Sequence, residues 1–246
     1  MKTALVTGAS KGIGEATVEL LSSKGYKVIG LDKEAPEKPK ATEFYKVDLS
    51  DLKQLENFLA EFKTFHSKLD LLVNNAAAYL YKPARAVTFE EFDFMQAVNS
   101  RAPYFLSTQL FPLLQKSQGC VVNVSSIHSV ATLNGFSAYA VSKGGLNAMT
   151  RSLAIEFGEA KVRVNAVLPG YIDTPGSRAH ISATTGASNE KELEEEVEKM
   201  GKAIILGKPG QPMDIANAVF YFAENEHVTG QCLVVDGGNM AVYGSV

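Results

Sequence analysis

Two rhythms of apolar residues alternate along this chain. Ala4-Leu5-Val6 is a short unbroken apolar run of the kind expected for a strand buried on both faces. It gives way to 15–24, where Ala16, Leu20 and Leu21 share one side of a helix and Gly25 stands where a left-handed C-terminal residue is wanted. The same rhythms return down the chain. Strand-like runs occupy 27–31, 43–47, 69–73, 120–124, 162–168 and 232–235, and helical spacing occupies 52–65, 89–111, 139–157 and 214–222. Parallel strands need a crossover between them, so the alternation predicts an α/β fold: a doubly wound, mostly parallel sheet with helices on both faces. A ligand then belongs beyond the carboxyl ends of the strands, at the point where the strand order reverses. No internal repeat or low-complexity linker interrupts the pattern, and 246 residues fit one domain, so 1–246 is read as a single unit.

One stretch breaks the rhythm. Residues 174–207 carry Pro175, Gly176, Gly186 and Ser/Thr-rich segments, followed by the acidic helical run 190–200. Leu193, Val197 and Met200 fall on one face of that run with glutamates around them, the pattern of a substrate lid lying on the body.

Composition narrows the partners. The net charge of -3 with no basic stripe leaves no electrostatic footprint for nucleic acid or an anionic membrane. The longest apolar runs are strand-sized and the first begins at residue 4, so neither a spanning helix nor a signal peptide is expected, and the chain is read as cytoplasmic. Cys120 and Cys232 sit in apolar strand-like runs and are read as two buried thiols rather than a disulfide. No Cys/His cluster with metal-ligand spacing is present, so no metal is expected.

The candidate chemistry starts at Thr7-Gly8-Ala9-Ser10-Lys11-Gly12-Ile13-Gly14, between the first strand and the first helix. A strand turning directly into a helix points unpaired N–H groups and the positive end of the helix dipole at whatever lies above it. Gly8 permits the turn, Gly12 lets backbone approach a pyrophosphate, and Gly14 allows close helix packing, the features of a Rossmann-like dinucleotide cradle. Asp32 ends the second strand 18 residues beyond Gly14, where a carboxylate bonds the ribose hydroxyls of a bound adenosine and repels a 2′-phosphate. Asp32 favours NAD over NADP, and Lys11 argues weakly the other way. Further on, Tyr139 and Lys143 lie four residues apart and so share a helix face; an ammonium there stabilises a phenolate and makes the tyrosine a usable base.

Taken together, these pieces resemble the classical short-chain dehydrogenase/reductase family from end to end. The matching motifs are the Thr7–Gly14 turn, Asp48 after the third strand, Asn74-Asn75-Ala76 after the fourth, Asn99, Ser126, Tyr139 with Lys143, Pro169-Gly170, and the closing Asp236-Gly237-Gly238. The resemblance implies that Tyr139 is the acid/base, Ser126 holds the substrate oxygen, Lys143 lowers the phenol pKa and binds the nicotinamide ribose, and Asn99 holds a relay water. Ser126 lies 13 residues before Tyr139, the family's usual separation, and is chosen over Ser125. The resemblance also implies that Asp48 and Leu49 touch the adenine, Asn75 and Ala76 flank the adenosine ribose, Ser10 and Ile13 lie near the phosphates, and Ile172 and Thr174 hold the carboxamide. Ala77 departs from the family's Asn-Asn-Ala-Gly. His128 has two readings side by side, substrate contact or rim, and Tyr79, Tyr81, Phe136, Tyr171 and His180 fall near the expected pocket mouth, where aromatic residues either meet substrate or close the core.

The expected activity is NAD-dependent interconversion of a secondary alcohol, such as a sugar, polyol or hydroxyacid, with its ketone. The alternatives are an NADPH-dependent 3-oxoacyl reductase, which Asp32 opposes, and a catalytically silent dinucleotide sensor, which the intact catalytic set opposes. The resemblance further implies a homotetramer, and the weakly polar tail 240–246 suggests a docked C-terminus.

Overall fold

A computed structural model describes residues 1–241. Seven parallel strands form one sheet: β1 (Thr3–Thr7), β2 (Lys27–Asp32), β3 (Glu43–Lys46), β4 (Leu71–Asn74), β5 (Cys120–Val124), β6 (Arg163–Pro169) and β7 (Cys232–Val235), in the order β3-β2-β1-β4-β5-β6-β7. The order reverses between β1 and β4, so the chain leaves those two strand ends in opposite directions and opens a crevice there.

Side-chain alternation divides the core in two. In β1, Leu5 points to one face with Ile29, Leu31, Leu72, Val121 and Val164. That face is covered by α2 (Leu52–Phe65), α4 (Ala102–Gln109), α5 (Phe111–Ser117) and α6 (Ser137–Gly158), which contribute Phe58, Phe62, Leu106, Leu113, Leu153 and Phe157. Ala4 and Val6 point to the other face, where α1 (Gly12–Ser23) supplies Val18 and Leu21, and α9 (Pro212–Glu224) supplies Ile215, Val219 and Phe222. Helices therefore cover both faces of a Rossmann-like sheet.

The helical stretch at 89–111 is not continuous. It comprises α3 (Phe89–Gln96), a π-helical turn at Ala97–Arg101, then α4, with a break at Leu110 before α5. Pro103 accounts for the turn: it has no N–H to return to the carbonyl of Asn99, and its ring would clash with that carbonyl in a regular helix.

Three other sequence expectations need correction. The Ser/Thr-rich part of 174–207 forms a helix, α7 (Pro175–Thr185), because Thr174 and Ser177 make a reciprocal capping box and Pro175 fits the first helical position. In α8 (Glu190–Lys202), Val197 is buried and Leu193 half-buried, but Met200 is exposed. Gly201 takes the inward position instead, against Pro209, where a Cβ would come within 2.6 Å. Cys120 is buried, whereas Cys232 on the last strand is only half-buried; both thiols are free. Residues 242–246 of the tail lie outside the described residues.

Candidate active site

The glycine loop closes over the end of β1. Gly8 and Gly12 both adopt positive φ, at 65° and 59°. A Cβ on Gly14 would sit 1.9 Å from the Gly8 carbonyl oxygen, so that oxygen and the first turn of α1 can touch only with glycine there. Asn75 braces the loop from β4: its Nδ2 donates to the carbonyls of Thr7 (2.9 Å) and Gly8 (3.2 Å). Thr7 Oγ1 accepts from the backbone N–H groups of Asn75 and Ala76, each at 3.0 Å. Thr7 belongs to the loop motif, yet spacing alone gave no sign of this bracing role.

A cavity of about 500 Å³ runs across the switch point. Gly8, Lys11, Gly12, Ile13, Asp32, Asp48, Leu49, Asn75, Ala76 and Thr174 line it, together with Ala77, Ala78 and Tyr79. Its chemistry changes along its length: a helix N-terminus and backbone at the loop, carboxylates at Asp32 and Asp48, and an aromatic ring at Tyr79. An anion belongs at the first and hydroxyl groups at the second, so the donor set fits a dinucleotide.

Asp32 is held for such a contact. Its Oδ2 accepts from Ser10 twice, from the hydroxyl at 2.5 Å and the backbone N–H at 3.1 Å, while Oδ1 has only a long 3.4 Å bond from the Glu34 N–H. Lys11 ion-pairs with Glu34 at 3.3 Å. Asp48 Oδ1 accepts from the N–H (2.8 Å) and hydroxyl (2.7 Å) of Ser50, and Leu49 beside it is buried. On the far side of the cleft β6 ends in Pro169-Gly170, with Gly170 pressed against Asp236, and Ile172 is buried where it bridges to Gly210.

Beyond the cavity, Asn99, Ser126, Tyr139 and Lys143 gather at the carboxyl ends of β4 and β5 and the start of α6, and all four are buried. A polar chain fixes that helix on the sheet: Asn74 Nδ2 donates to Asn123 Oδ1 (2.8 Å), and Asn123 Nδ2 to Thr150 Oγ1 (2.9 Å). Ser126 follows β5 in extended conformation, and its Oγ accepts from the His128 N–H at 3.2 Å. Its neighbour Ser125 instead donates to the Lys143 carbonyl at 3.2 Å.

The side chain of Asn99 is fully engaged. Its Oδ1 accepts from the Ala78 N–H (2.7 Å), and its Nδ2 donates to the Ala78 carbonyl (2.9 Å) and to Ser142 Oγ (3.0 Å). Asn99 therefore ties the segment after β4 to α6.

The Tyr139–Lys143 pair differs from the sequence expectation. Lys143 Nζ donates to the Val124 carbonyl at 2.8 Å and lies 5.8 Å from the Tyr139 ring centre. Burial dominates both groups: it pushes the phenol up to about 12, opposed only by Ser126, and pulls the ammonium down to about 7. Burial disfavours each charge on its own.

Rings surround Tyr139. Tyr79 packs edge-on at 4.8 Å between ring centres and His128 at 5.8 Å, while Phe136 lies 4.4 Å from His128. His180, on α7, stacks on Tyr79 at 4.7 Å. These residues come from four separate segments, which no local spacing could have linked.

With this geometry in hand, comparison with known proteins is informative. A family model described as enoyl-(acyl carrier protein) reductase matches residues 8–239. The chain is 34% identical to a tropinone reductase homolog of Arabidopsis thaliana, covering 96% of this chain and 89% of that one. It is 31% identical to the 3-oxoacyl-[acyl-carrier-protein] reductase of Thermotoga maritima, covering 96% and 97%. Among solved structures, the ligand-free aldohexose dehydrogenase of Thermoplasma acidophilum superposes with a TM-score of 0.92 at 31% identity, covering 98% of this chain and 95% of the other.

Proposed function

The chain belongs to the classical short-chain dehydrogenase/reductase family, oxidoreductases that bind a nicotinamide dinucleotide and act on CH–OH and keto groups, and from that premise we propose that it is an NAD-dependent enzyme interconverting a secondary alcohol and its ketone, with Tyr139 as acid/base. The observation that carries this reading is the convergence of Ser126, Tyr139 and Lys143 at strand ends beside a glycine-loop cavity. When bound, the nicotinamide supplies the hydride acceptor for oxidation or donor for reduction.

The chain's own residues do the rest. Tyr139 as phenolate takes the hydroxyl proton in oxidation and as phenol returns it in reduction, Ser126 bonds the substrate oxygen, and Lys143 holds the compensating charge beside the phenolate. Asn99 keeps the Ala78 segment against α6 and offers its backbone carbonyl to a relay water. At the nucleotide end, Oδ1 of Asp32 faces the ribose hydroxyls, and Ser10 holds the carboxylate in place; the same negative charge repels a 2′-phosphate. Glu34 on Lys11 supports the NAD reading further, because it engages the loop's own cation.

The same reading takes 1–246 as one catalytic domain with α7 and α8 as its lid. It also assigns a homotetramer. Tyr104 and Phe105 on α4 are exposed and line a shallow apolar depression, Val141 and Ile155 on α6 are exposed as well, and a second exposed set, Ile205, Leu206, Leu233 and Val234, lies by the last strand. Both patches suit burial against further copies.

The test is absorbance at the reduced-nicotinamide band with sugars, polyols, hydroxyacids and acyl thioesters, using NAD(H) and NADP(H) in both directions. NAD-linked turnover of an alcohol or ketone is the expected result. A clear NADPH-linked preference for the acyl thioester would overturn it in favour of a 3-oxoacyl reductase.

A further inference from the structure

The space in front of Tyr139 is walled by rings. Tyr79 and Tyr81 come from the segment after β4, Phe136 caps α6, His128 lies on the turn after Ser126, and His180 comes from α7. Around Phe136, ring centres lie at 5.4 Å for Tyr79, 5.1 Å for Tyr81, 4.4 Å for His128 and 5.9 Å for His180. The wall has structural support behind it: Gly135, at φ 86°, leaves room for Tyr81, whose ring a Cβ there would meet at 2.6 Å. The Gly135 carbonyl also accepts from the Lys82 N–H at 2.8 Å. Tyr79 and Tyr81 are nonetheless half exposed, so their faces are open to a ligand.

The charges near this wall have partners of their own. Lys82 Nζ bonds both carboxylate oxygens of Glu91 at 2.8 Å. Arg178 forks onto Asp173 at 2.6 and 2.8 Å and reaches Glu194 at 2.6 Å. Lys143 donates to the Val124 carbonyl. Burial holds both His128 and His180 below the ordinary imidazole value, so they stand neutral at pH 7. A substrate carboxylate placed here would lose its hydration and gain no cation in exchange, a costly arrangement.

We propose that the substrate is uncharged around its reacting carbon and presents a ring, alicyclic or sugar-like, whose C–H face packs on Tyr79 and Tyr81, with His180 closing over it from α7. This inference rests on the oxidoreductase reading above and selects within it, setting the hydroxyacids aside. The reaction is unchanged: the secondary alcohol loses hydride to NAD and its hydroxyl proton to Tyr139, giving the ketone, NADH and a proton. A flat C–H face suits edge and face contacts with aromatic rings, and a ring loses little conformational freedom on docking. The Tyr79 hydroxyl, a phenol protonated at neutral pH, serves as a donor to substrate oxygen.

The wild-type protein with NAD is tested first against neutral cyclic alcohols and aldoses, and against 2- and 3-hydroxycarboxylates of matched size. The expected result is kcat/KM at least about tenfold higher for the neutral rings. Hydroxycarboxylates turned over equally well or better would overturn this inference and leave the oxidoreductase reading standing. No turnover of any alcohol or ketone by protein that binds NAD would overturn both. Saturation-transfer NMR on the NADH complex gives a reading independent of turnover: irradiating aromatic protons should attenuate the C–H signals of the bound ring, and no transfer would contradict the wall. Tyr79→Leu should raise KM for the neutral ring about fivefold with kcat changed less. An unchanged KM in a variant that melts like the wild type would show that the wall does not touch substrate.

Discussion

Asp32 and Lys143 show how differently two buried or half-buried charges are used. Asp32 ends a strand with one oxygen held by Ser10 and the other facing the cleft, so its charge discriminates between ligands. Replacing it, Asp32→Asn, should move the NAD/NADP ratio of dissociation constants toward NADP by about tenfold or more, measured by calorimetry on the protein alone; an unchanged ratio would locate the discrimination elsewhere. Lys143 is different because burial lowers its pKa from the ordinary 10.5 to about 7. Between those values the unfolded chain holds a proton that the folded chain lacks, so its contribution makes stability rise with pH. For Tyr139, raised to about 12 from 10.0, the unfolded chain loses its proton first, so stability falls with pH through that higher window. Comparison of wild type with Lys143→Met in denaturant unfolding at about pH 7 and pH 9 should reveal a difference on the order of 2 kcal/mol. Equal slopes for the two proteins would mean that Lys143 stays charged when folded. At this scale the sequence was legible where chemistry is local. The glycine turn, Asp32 at a strand end, and a tyrosine and lysine one helical turn apart can each be read from neighbours in the chain. The brace from Asn75, the engagement of Asn99 with Ala78, and the dominance of burial over the Lys143 charge arise from contacts between distant segments.

At the scale of elements, the boundaries read from periodicity coincide with the structure for α2, β5 and β7, where a strong apolar pattern meets a clear cap or turn. Pattern reading fails at two places near the chemistry. Ala97–Arg101 keeps the apolar spacing of a helix, so the change of hydrogen-bond register that Pro103 forces left no mark on the periodicity. The Ser/Thr-rich stretch of α7 gave no helical pattern, yet those residues serve as its cap and internal hydrogen bonds, with Thr174 bonding Ser177 and Thr184 and Thr185 bonding carbonyls one turn back. Arg178 joins α7 to Asp173 and to Glu194 of α8, a single side chain linking the two helices proposed as the lid. Arg178→Gln should change global stability by less than about 1 kcal/mol, since the Glu194 arm is exposed. Its expected effect is faster limited proteolysis near 186–189, slowed by bound substrate; cleavage at the wild-type rate would argue that the lid does not depend on this contact.

Two apolar layers lock the sheet between α2, α4, α5 and α6 on one face and α1 and α9 on the other, and the cavity opens at the single reversal of strand order. That architecture was legible in the sequence because parallel strands impose crossovers and crossovers impose layers. The sequence placed the aromatic residues near the pocket mouth but not the contacts among them, since His180 reaches Tyr79 from α7 and Tyr79 comes from the segment after β4. Assembly belongs to this scale too: Ile155→Glu places a charge on the exposed last turn of α6 and should shift the light-scattering mass from tetramer toward smaller species. An unchanged tetramer mass would exclude that face from the interface, and a monomeric wild type would overturn the tetramer itself. The central claim is hydride transfer to NAD governed by the Tyr139 proton. Its most direct test is the initial rate of NADH formation with a neutral cyclic alcohol, for wild type and Tyr139→Phe, alongside calorimetric NAD binding for both. The account predicts NAD bound by both proteins and a rate reduced by about a hundredfold or more in the variant. Equal rates in the two proteins would contradict it.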